Sequence, residues 1–185
     1  MRMQATDKSW LRDELGHQRQ SRTPGEIAAA RATIRERVLA RCEQEGWTSV
    51  AGYVPMRTEP GSAELLDGLC ERDVRVIVPV VLADRDLDWT PWLGGTVDGS
   101  LLGVDAIASV DAVLVPALSV ARDGTRLGRG GGSYDRALAR VPSATILAAL
   151  LYDDELVHVL PREPWDVAVT AVVMPAGWLD LAAPG

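Results

Sequence analysis

Eleven consecutive residues organise this chain: Arg126-Leu127-Gly128-Arg129-Gly130-Gly131-Gly132-Ser133-Tyr134-Asp135-Arg136. The apolar run at 111–118 precedes them and predicts a buried strand, while residues 136–140 predict the first turns of a helix. Strand-like and helix-like segments alternate along the rest of the chain, which predicts an α/β protein with a parallel or mixed sheet covered on both faces. We therefore expect the glycine-rich loop at the carboxyl edge of this sheet.

The composition of the loop indicates an anion site. Glycine has no Cβ atom, so the backbone can take positive φ values and successive N–H groups can surround an anion. Arg126, Arg129 and Arg136 can donate forked hydrogen bonds to phosphate oxygens. Asp135 would repel a bare phosphate, and its presence is explained if Mg²⁺ lies between carboxylate and phosphate. The alternative is a flexible glycine turn whose arginines only keep it soluble.

Two common phosphate-binding motifs do not fit the loop. GxxxxGK[ST] is absent because no lysine follows these glycines, and GxGxxG fails because Ser133 stands where the third glycine is required.

The bulk composition bounds the function. A chain of 185 residues with 47% hydrophobic and 24% charged residues predicts one soluble globular domain, residues 1–185. The net charge of -7 argues against a nucleic-acid partner. No apolar run approaches a membrane span, the N-terminus lacks a signal-peptide pattern, and Cys42 and Cys70 have no metal-ligand spacing. We expect a cytoplasmic protein that contacts neither nucleic acid nor membrane.

The remaining segments predict the scaffold. Thr23-Pro24-Gly25-Glu26 has the capping-box pattern of a helix start. Pro79 is expected to end the regular pairing of its strand, because proline cannot donate a ladder hydrogen bond. We predict helices from a cap at Asp7 to about residue 20, from 24 to 45 and over 62–72. We predict strands over 49–54, 74–82, 87–92, 111–118, 143–151 and 167–173. The strand at 87–92 is expected at an edge of the sheet, and the strand at 167–173 is expected to be the last.

The motif Arg-Leu-Gly-x-Gly-Gly-Gly-x-Tyr-Asp-Arg at 126–136 resembles the signature of the 5-formyltetrahydrofolate cyclo-ligases, also called methenyltetrahydrofolate synthetases. The resemblance implies a three-layer α/β/α sandwich with a mostly parallel sheet, similar in kind to sugar-phosphate isomerases and CoA transferases. It also implies a reaction of 5-formyltetrahydrofolate with ATP that gives 5,10-methenyltetrahydrofolate, ADP and phosphate. Mg²⁺ is the implied cofactor and ATP the co-substrate. We expect these two substrates as the partners of a monomeric chain.

Two cations near the N-terminus extend the resemblance. Lys8 and Arg12 are four residues apart and project from one side of a predicted helix, which by itself is typical of a solvated face. The pattern Lys-x-x-x-Arg is similar to the first ATP-contacting element of the family. The implied catalytic residues are Arg126, Arg129 and Tyr134. The implied ATP site comprises Lys8, Arg12, Arg126, Leu127, Gly128, Arg129, Gly130, Gly131, Gly132, Ser133 and Tyr134.

The folate site is expected where the strand at 49–54 ends, because open α/β sheets bind ligands beyond the carboxyl ends of their strands. Glu59 matches a family glutamate that contacts folate, although a solvated loop acid is the alternative from the residues alone. Trp92 either packs in the core or stacks on a flat ring. The implied substrate-binding residues are Val54, Met56, Glu59, Trp92, Gly130, Gly131, Gly132 and Tyr134.

The implied metal ligands are Asp135 and Asp166. Asp166 matches an acid of the family near the nucleotide, and it could equally be a surface turn residue. The chain departs from the family at Ser133, Trp165 and Thr170, where relatives carry a tyrosine, a histidine and a second acid. These departures keep open the alternative of a regulatory module that binds folate or nucleotide. The shared architecture leaves a second alternative, a sugar-phosphate isomerase-like enzyme that needs no ATP.

Overall fold

A computed structural model of the chain describes residues 8–181. The predicted helix cap at Asp7 lies outside these residues. The α-helices are α1 (Lys8–Ser21), α2 (Pro24–Glu45), α3 (Ala63–Cys70) and α4 (Ser133–Leu138). The strands are β1 (Ser49–Ala51), β2 (Arg75–Val81), β3 (Leu87–Pro91), β4 (Ala112–Pro116), β5 (Ser119–Ala121), β6 (Arg126–Leu127), β7 (Ile146–Leu150), β8 (Leu156–Val157), β9 (Ala171–Met174) and β10 (Gly177–Asp180).

The main sheet has seven strands in the order β10-β9-β7-β4-β1-β2-β3. Its five central strands are parallel to one another, and the two edge strands, β10 and β3, pair antiparallel with their neighbours. The predicted mostly parallel sheet is therefore confirmed, and so is the edge position of β3. A second, three-stranded sheet has the order β6-β5-β8.

Both faces of the main sheet are covered, because successive side chains of a strand point to opposite faces. Val50 belongs to the apolar cluster under α2 and α3, whereas Ala51 belongs to the cluster on the other side with Ile107 and Leu138. The same alternation holds along β2 and β4. Helices on both sides of one sheet form the predicted three-layer α/β/α arrangement.

The start of α2 follows the predicted capping box. The Thr23 hydroxyl accepts a hydrogen bond from the Glu26 backbone N–H at 3.2 Å, and the Glu26 carboxylate accepts one from the Thr23 N–H at 2.7 Å. The helix ends at Gly46, which takes φ 67°. Such an end favours glycine, because the left-handed region strains a residue with a Cβ atom.

The expectation that pairing ends near Pro79 is correct on the β1 side, where the last pair is Ala51↔Ile77, and wrong on the β3 side. Strand β2 pairs with β3 up to Val81, and Pro79 lies opposite Trp89. Hydrogen bonds from Trp92 N to Val76 O and from Leu82 N to Asp86 O place Pro79 at a non-hydrogen-bonded position of this ladder. The N–H that Pro79 lacks would face β1, where regular pairing ends at Ile77. The missing N–H of proline therefore removes no bond between β2 and β3.

Three other segments differ from their predictions. Strand β1 covers only Ser49–Ala51 of the predicted 49–54. The connector between β4 and the glycine loop forms the β5–β6 hairpin, because Asp123 and Gly124 close a tight turn with φ 84° at the glycine. The final strand is β10, since the chain reverses after Met174 and pairs again with β9.

Helix α1 packs on the small sheet and not on the main one. Leu11 and Leu15 contact the apolar cluster of Ala121, Leu127 and Leu160. This packing brings the N-terminal half of α1 next to the glycine loop. Among the helices of residues 8–181, none combines the length and the apolar composition that a membrane crossing requires.

Candidate active site

A cavity of about 620 Å³ lies at the carboxyl edge of the main sheet. Its floor comes from the ends of three neighbouring parallel strands: Tyr53 and Val54 follow β1, Pro79 and Val81 belong to β2, and Pro116 ends β4. The glycine loop and the N-terminal part of α1 form the other walls. This is the edge at which open α/β sheets bind their ligands.

The glycine loop requires glycine at specific positions. Gly130 and Gly132 have φ values of 97° and 68°, which strain residues with a Cβ atom. A Cβ atom on Gly128 would lie 2.5 Å from Nη1 of Arg126, so that glycine lets the guanidinium fold against the loop. A Cβ atom on Gly130 would lie 3.2 Å from Cζ of Arg12. Glycine is therefore needed in this loop for two reasons: the positive φ values of its turns and the close approach of the Arg126 and Arg12 side chains.

Two cationic side chains of helix α1 lie next to this loop. Nε of Arg12 donates a hydrogen bond to the Gly128 carbonyl at 2.9 Å. Nζ of Lys8 lies 2.8 Å from Oδ2 of Asp166. Both side chains line the cavity together with the glycine loop. The structure thus brings Lys8, Arg12 and the loop into one site, although more than 100 residues separate them in sequence.

Arg126 and Tyr134 form a polar wall of the cavity. Nη2 of Arg126 lies 2.9 Å from Oδ1 of Asp135, and its guanidinium carbon lies 5.9 Å from the centre of the Tyr134 ring. Nε of Arg126 and the hydroxyl of Tyr134 are buried and have no hydrogen-bond partner among residues 8–181. Buried polar atoms without partners are rare in folded proteins, and in a cavity wall they indicate contact with a ligand.

Burial raises the pKa of the Tyr134 hydroxyl above its ordinary value, although the Arg126 charge opposes this shift. The hydroxyl therefore stays protonated at neutral pH.

Glu59 and Arg129 join the substrate loop (residues 56–59) to the glycine loop. Nε and Nη2 of Arg129 both lie 3.3 Å from Oε1 of Glu59. The second oxygen of this buried carboxylate accepts a hydrogen bond from the Met56 N–H at 2.8 Å. Glu59 is thus a paired, buried acid in the cavity wall, and the alternative of a solvated loop acid is wrong.

Arg31 of α2 lies outside the cavity and holds the substrate loop by hydrogen bonds. Its Nε donates to the Glu59 carbonyl at 3.0 Å, and its Nη2 donates to the carbonyls of Met56 at 3.0 Å and Arg57 at 3.1 Å. The Tyr152 hydroxyl donates to the Thr58 carbonyl at 3.1 Å. Every carbonyl from 56 to 59 therefore accepts a hydrogen bond from a side chain, which orders a loop without regular structure.

Two residues considered from the sequence lie elsewhere. Trp92 is 8% exposed and packs in the apolar cluster under α3, where its Nε1 donates to the Asp67 carboxylate at 2.8 Å. It does not line the cavity, so we withdraw Trp92 as a substrate-binding residue. Arg136 points away from the loop and donates to the Asp84 carbonyl at 3.1 Å.

Comparison with known proteins identifies the family. The profile of the 5-formyltetrahydrofolate cyclo-ligase family matches residues 4–175. A 5-formyltetrahydrofolate cyclo-ligase of Mycolicibacterium smegmatis is 37% identical over 188 residues, which cover 94% of this chain and 96% of that protein. This chain belongs to the 5-formyltetrahydrofolate cyclo-ligase family. The family and the enzyme class predicted from the glycine motif, a ligase of folate one-carbon metabolism, are therefore confirmed.

Solved structures agree with this assignment. A 5,10-methenyltetrahydrofolate synthetase of Aquifex aeolicus superposes with a TM-score of 0.72 at 25% identity and covers 94% of this chain and 92% of its own. The corresponding synthetase of Mycoplasma pneumoniae superposes with a TM-score of 0.78 at 20% identity and covers 91% and 98%. The likeness to the Mycoplasma pneumoniae synthetase shows that the two proteins share a fold.

The carboxylates of this cyclo-ligase site suit a metal ion that binds together with the phosphates of a substrate. Asp135 and Asp166 both line the cavity, and within residues 8–181 no group of three or more His, Cys, Asp or Glu side chains could hold a metal. Mg²⁺ in nucleotide sites is commonly held by one or two carboxylates together with substrate phosphates and water. The donor set therefore fits Mg²⁺ bound with a nucleotide.

Both carboxylates stand beside cations. Asp135 is paired with Arg126, and Asp166 is paired with Lys8. Burial opposes ionisation of Asp166, but hydrogen bonds from Lys8 and from the Glu163 N–H outweigh it and lower the pKa of this carboxyl. Asp166 is therefore ionised at neutral pH, as a metal ligand must be.

The cavity of the cyclo-ligase also contains residues that sequence reasoning missed. Tyr53 is buried in its wall, and burial raises the pKa of its hydroxyl well above the ordinary value. Trp165 lines the cavity while 69% of it is exposed, so this departure from the family places an indole at the rim. A tryptophan directly before the matched acid Asp166 is the sequence signal that could have identified it.

Proposed function

We propose that residues 1–185 form one cyclo-ligase domain that converts 5-formyltetrahydrofolate and ATP to 5,10-methenyltetrahydrofolate, ADP and phosphate in the cavity described above. The observation that carries this proposal is the convergence of Lys8, Arg12, Arg126 and Arg129 on the glycine loop. Four cations around backbone N–H groups suit a triphosphate, which carries far more charge than a single phosphate.

ATP lies with its phosphates on the glycine loop in this proposal. Lys8 and Arg12 of α1 neutralise the phosphate charge on one side, and Arg126 and Arg129 neutralise it on the other. Donors that are already in place when charge develops lower the barrier of phosphoryl transfer, because they need no reorganisation. The ATP-binding residues are those of α1 and the loop: Lys8, Arg12, Arg126, Leu127, Gly128, Arg129, Gly130, Gly131, Gly132, Ser133 and Tyr134.

The folate lies between the substrate loop and the glycine loop. The paired carboxylate of Glu59 faces it from one side, and the backbone of Gly130 to Gly132 faces it from the other. Val54 and Met56 are 53% and 55% exposed and offer apolar surface to its flat rings. The Tyr134 hydroxyl, which stays protonated, donates a hydrogen bond to an oxygen of the reacting groups.

The chemistry needs positioning more than covalent help from the protein. The formyl oxygen of the folate attacks the γ-phosphorus of ATP, and ADP leaves with the electrons of the broken P–O bond. N10 then attacks the activated formyl carbon, the C–O bond breaks, N10 loses its proton, and phosphate departs. Arg126, Arg129 and Tyr134 touch the reacting groups and hold them in line.

Asp135 and Asp166 would hold Mg²⁺. The ion would neutralise charge on the phosphate oxygens. We also propose that the enzyme acts as a monomer. Cys42 and Cys70 are free thiols, as is usual in the cytoplasm, where we expect the enzyme to act.

The test is an absorbance assay for methenyltetrahydrofolate with and without ATP. We expect turnover only with ATP, and we expect Asp135→Ala to lower kcat by roughly 10²–10³-fold and to raise the Mg²⁺ concentration that gives half-maximal rate. Asp105→Ala, which removes an 86% exposed carboxylate outside the cavity, is the control.

The two alternatives from the sequence give different results in this assay. A binding module and an isomerase-like enzyme would both show no product with or without ATP. Unchanged turnover and Mg²⁺ dependence in Asp135→Ala would remove the metal role of this carboxylate.

A second prediction concerns the brace at Arg31. Arg31→Ala leaves three carbonyls of the substrate loop without their donor, so the loop loses its order. We expect the KM for monoglutamyl 5-formyltetrahydrofolate to rise about tenfold while the KM for ATP stays within about twofold. A tenfold change corresponds to about 1.4 kcal/mol, a modest loss for three hydrogen bonds from a charged donor that is only partly buried.

Arg37→Ala is the matched control for this variant. Arg37 also lies on α2 and also donates to a backbone carbonyl, that of Pro175, far from the substrate loop. A parallel rise of both KM values in Arg31→Ala, or the same folate effect in Arg37→Ala, would show that Arg31 supports only the general fold.

A further inference from the structure

The catalytic cavity has two sides, which come from different parts of the chain. On one side, Tyr53 follows β1 and Val81 ends β2, so this side belongs to the main sheet. The other side is lined by Lys8 and Arg12 of α1 and by residues of the turn at 163–166. Helix α1 packs on the small sheet, and we therefore call this second side the small-sheet side.

The glycine loop lies between these two sides. Its Arg129 pairs with Glu59 of the substrate loop at 3.3 Å. Its Gly128 carbonyl accepts a hydrogen bond from Arg12 of α1 at 2.9 Å. A polyphosphate bound on the loop therefore has the substrate loop on one flank and α1 on the other.

The proposed reaction decides which way a bound nucleotide points. The γ-phosphate must meet the formyl oxygen of the folate, whose proposed place is between the substrate loop and the glycine loop. The nucleoside is attached to the opposite end of the triphosphate. The nucleoside therefore extends toward the small-sheet side of the cavity.

One side chain on the small-sheet side offers a flat apolar face. Among the described residues that line this side, Lys8, Arg12, Glu163 and Asp166 are charged, whereas Trp165 carries an indole. Charged groups suit the phosphates and the metal ion, but they do not suit the face of an aromatic base. The indole is the group on this side that can stack on such a base.

The indole of Trp165 is far more exposed than most tryptophans of this chain. It is 69% exposed, whereas Trp47, Trp89 and Trp92 are 7%, 0% and 8% exposed. Within residues 8–181 its ring stacks on no other aromatic ring and on no cation. An aromatic face that is open to a cavity offers a ligand ring both apolar area and a stacking partner.

Hydrogen bonds hold the turn that carries Trp165. Oδ2 of Asp166 accepts a hydrogen bond from the Glu163 N–H at 2.8 Å, and the Asp166 N–H donates to the Glu163 carbonyl at 3.1 Å. The same Oδ2 lies 2.8 Å from Nζ of Lys8. The indole is therefore carried by a closed turn that is joined to α1, which limits the ordering that a bound ring must impose.

We propose that Trp165 stacks on the purine base of the nucleotide and is a specificity-determining residue of this site, an inference that rests on the proposed function. The phosphates lie on the glycine loop, and the base lies against the indole at the rim of the cavity. Stacking requires a ring on the ligand. Trp165 therefore favours a nucleotide over a bare polyphosphate.

Calorimetry with MgADP and with magnesium pyrophosphate tests this proposal, because the two ligands share a diphosphate and differ in the nucleoside. Trp165→Ala should weaken MgADP binding about tenfold, the effect expected when a base loses its aromatic partner. The same variant should leave pyrophosphate binding within about twofold. Trp165→Phe should keep MgADP binding within about threefold, since phenylalanine also offers a ring face.

Trp10→Ala is the matched control for these variants. Trp10 lies on α1 and is 57% exposed, but it does not line the cavity. Its removal should leave both affinities within about twofold. Unchanged MgADP binding in Trp165→Ala, an equal loss of both ligands in that variant, or the same MgADP loss in Trp10→Ala would each overturn the proposal.

Tryptophan fluorescence tests the contact itself. Saturating MgADP should quench the emission of the unmodified protein and of Trp10→Ala, because the base covers the indole of Trp165. The quench should disappear in Trp165→Phe, although calorimetry shows that MgADP still binds. A quench that persists in Trp165→Phe would place the base at another tryptophan and would overturn the proposal.

Steady-state kinetics separates this proposal from the proposed function. In Trp165→Ala the KM for ATP should rise about tenfold, while kcat and the KM for 5-formyltetrahydrofolate stay within about threefold. A rise in the folate KM alone would show that the indole faces the folate and would overturn the proposal. MgADP binding that depends on Trp165, in a protein that forms no methenyltetrahydrofolate, would refute the cyclo-ligase function and leave the nucleotide contact in place.

Discussion

Arg126→Ala is expected to lower kcat/KM for ATP by at least about 10³-fold while the protein stays folded. Arg126 is 8% exposed, pairs with Asp135 and donates to the Pro116 carbonyl at 3.3 Å. Its guanidinium is therefore preorganised in the cavity wall, where we propose that phosphate charge develops during transfer. Arginines that stabilise this charge in phosphoryl-transfer enzymes contribute on the order of 10³–10⁵ in kcat. Steady-state kinetics in ATP, together with a circular-dichroism melt, measures the effect.

Arg136→Ala is the matched control for this prediction. It removes an arginine from the same eleven-residue motif, but one that donates to the Asp84 carbonyl outside the cavity. We expect its kcat/KM to stay within about threefold of the unmodified enzyme. If both variants lose activity equally, the motif acts through its general structure. If neither loses activity, Arg126 has no part in the transfer.

Arg19→Met is expected to lower the free energy of unfolding by about 3–5 kcal/mol, the cost of breaking a buried ion pair. Arg19 and Glu155 are 1% and 2% exposed. Two hydrogen bonds of 2.7 Å join them, and Nη2 of Arg19 also donates to the Ala117 carbonyl at 2.6 Å. The variant leaves the Glu155 charge buried and unpaired. For a chain of this size the melting temperature should fall by roughly 6–20 °C.

The loss in Arg19→Met should depend on pH. Burial raises the pKa of Glu155 above its ordinary 4.5, and without Arg19 nothing of comparable strength opposes this shift. Between the ordinary pKa and the raised one, the folded state holds more protons than the unfolded state, so stability falls as pH rises. Denaturant titrations at pH 5 and pH 8 should therefore show a smaller deficit at pH 5.

Two further variants complete this test. Arg72→Met breaks an exposed pair with Glu43, whose side chain is 63% exposed, and should cost at most about 1 kcal/mol. Arg19→Met/Glu155→Leu removes both charges and should recover part of the loss. A deficit in Arg19→Met that is independent of pH, or no larger than that of Arg72→Met, would mean that the pair is not the source of stability.

The elements with strong local signals were predictable from the sequence. The capping box at 23–26, the glycine end of α2 and the β-branched strand β2 all formed as expected, because local hydrogen bonds and side-chain periodicity decide them. The pairing of β2 with β3 beyond Pro79 was not predictable. It depends on which neighbouring strand the missing N–H of Pro79 faces.

Much of the candidate site was also predictable, because its glycines and arginines form one continuous motif. Lys8, Arg12, Glu59 and Asp166 were linked to that motif by resemblance alone. Arg19 and Arg31 gave no signal, since an arginine on a helix is usually solvated and only their burial or hydrogen-bond partners distinguish them. Trp92 was assigned to the folate site because an aromatic residue suits both a core and a ring-binding wall.

By itself the sequence determined the family, the alternation of helices and strands, and the cationic, glycine-rich composition of the loop, because each of these depends on contiguous residues. Only the tertiary structure decided which distant side chains meet. It turned Arg136 away from the loop, buried Trp92 beneath α3, and brought α1 against the β5–β6 hairpin so that Lys8 and Arg12 reach the loop. The reason is that these contacts depend on how helices pack on the sheets, and packing is a property of the whole chain.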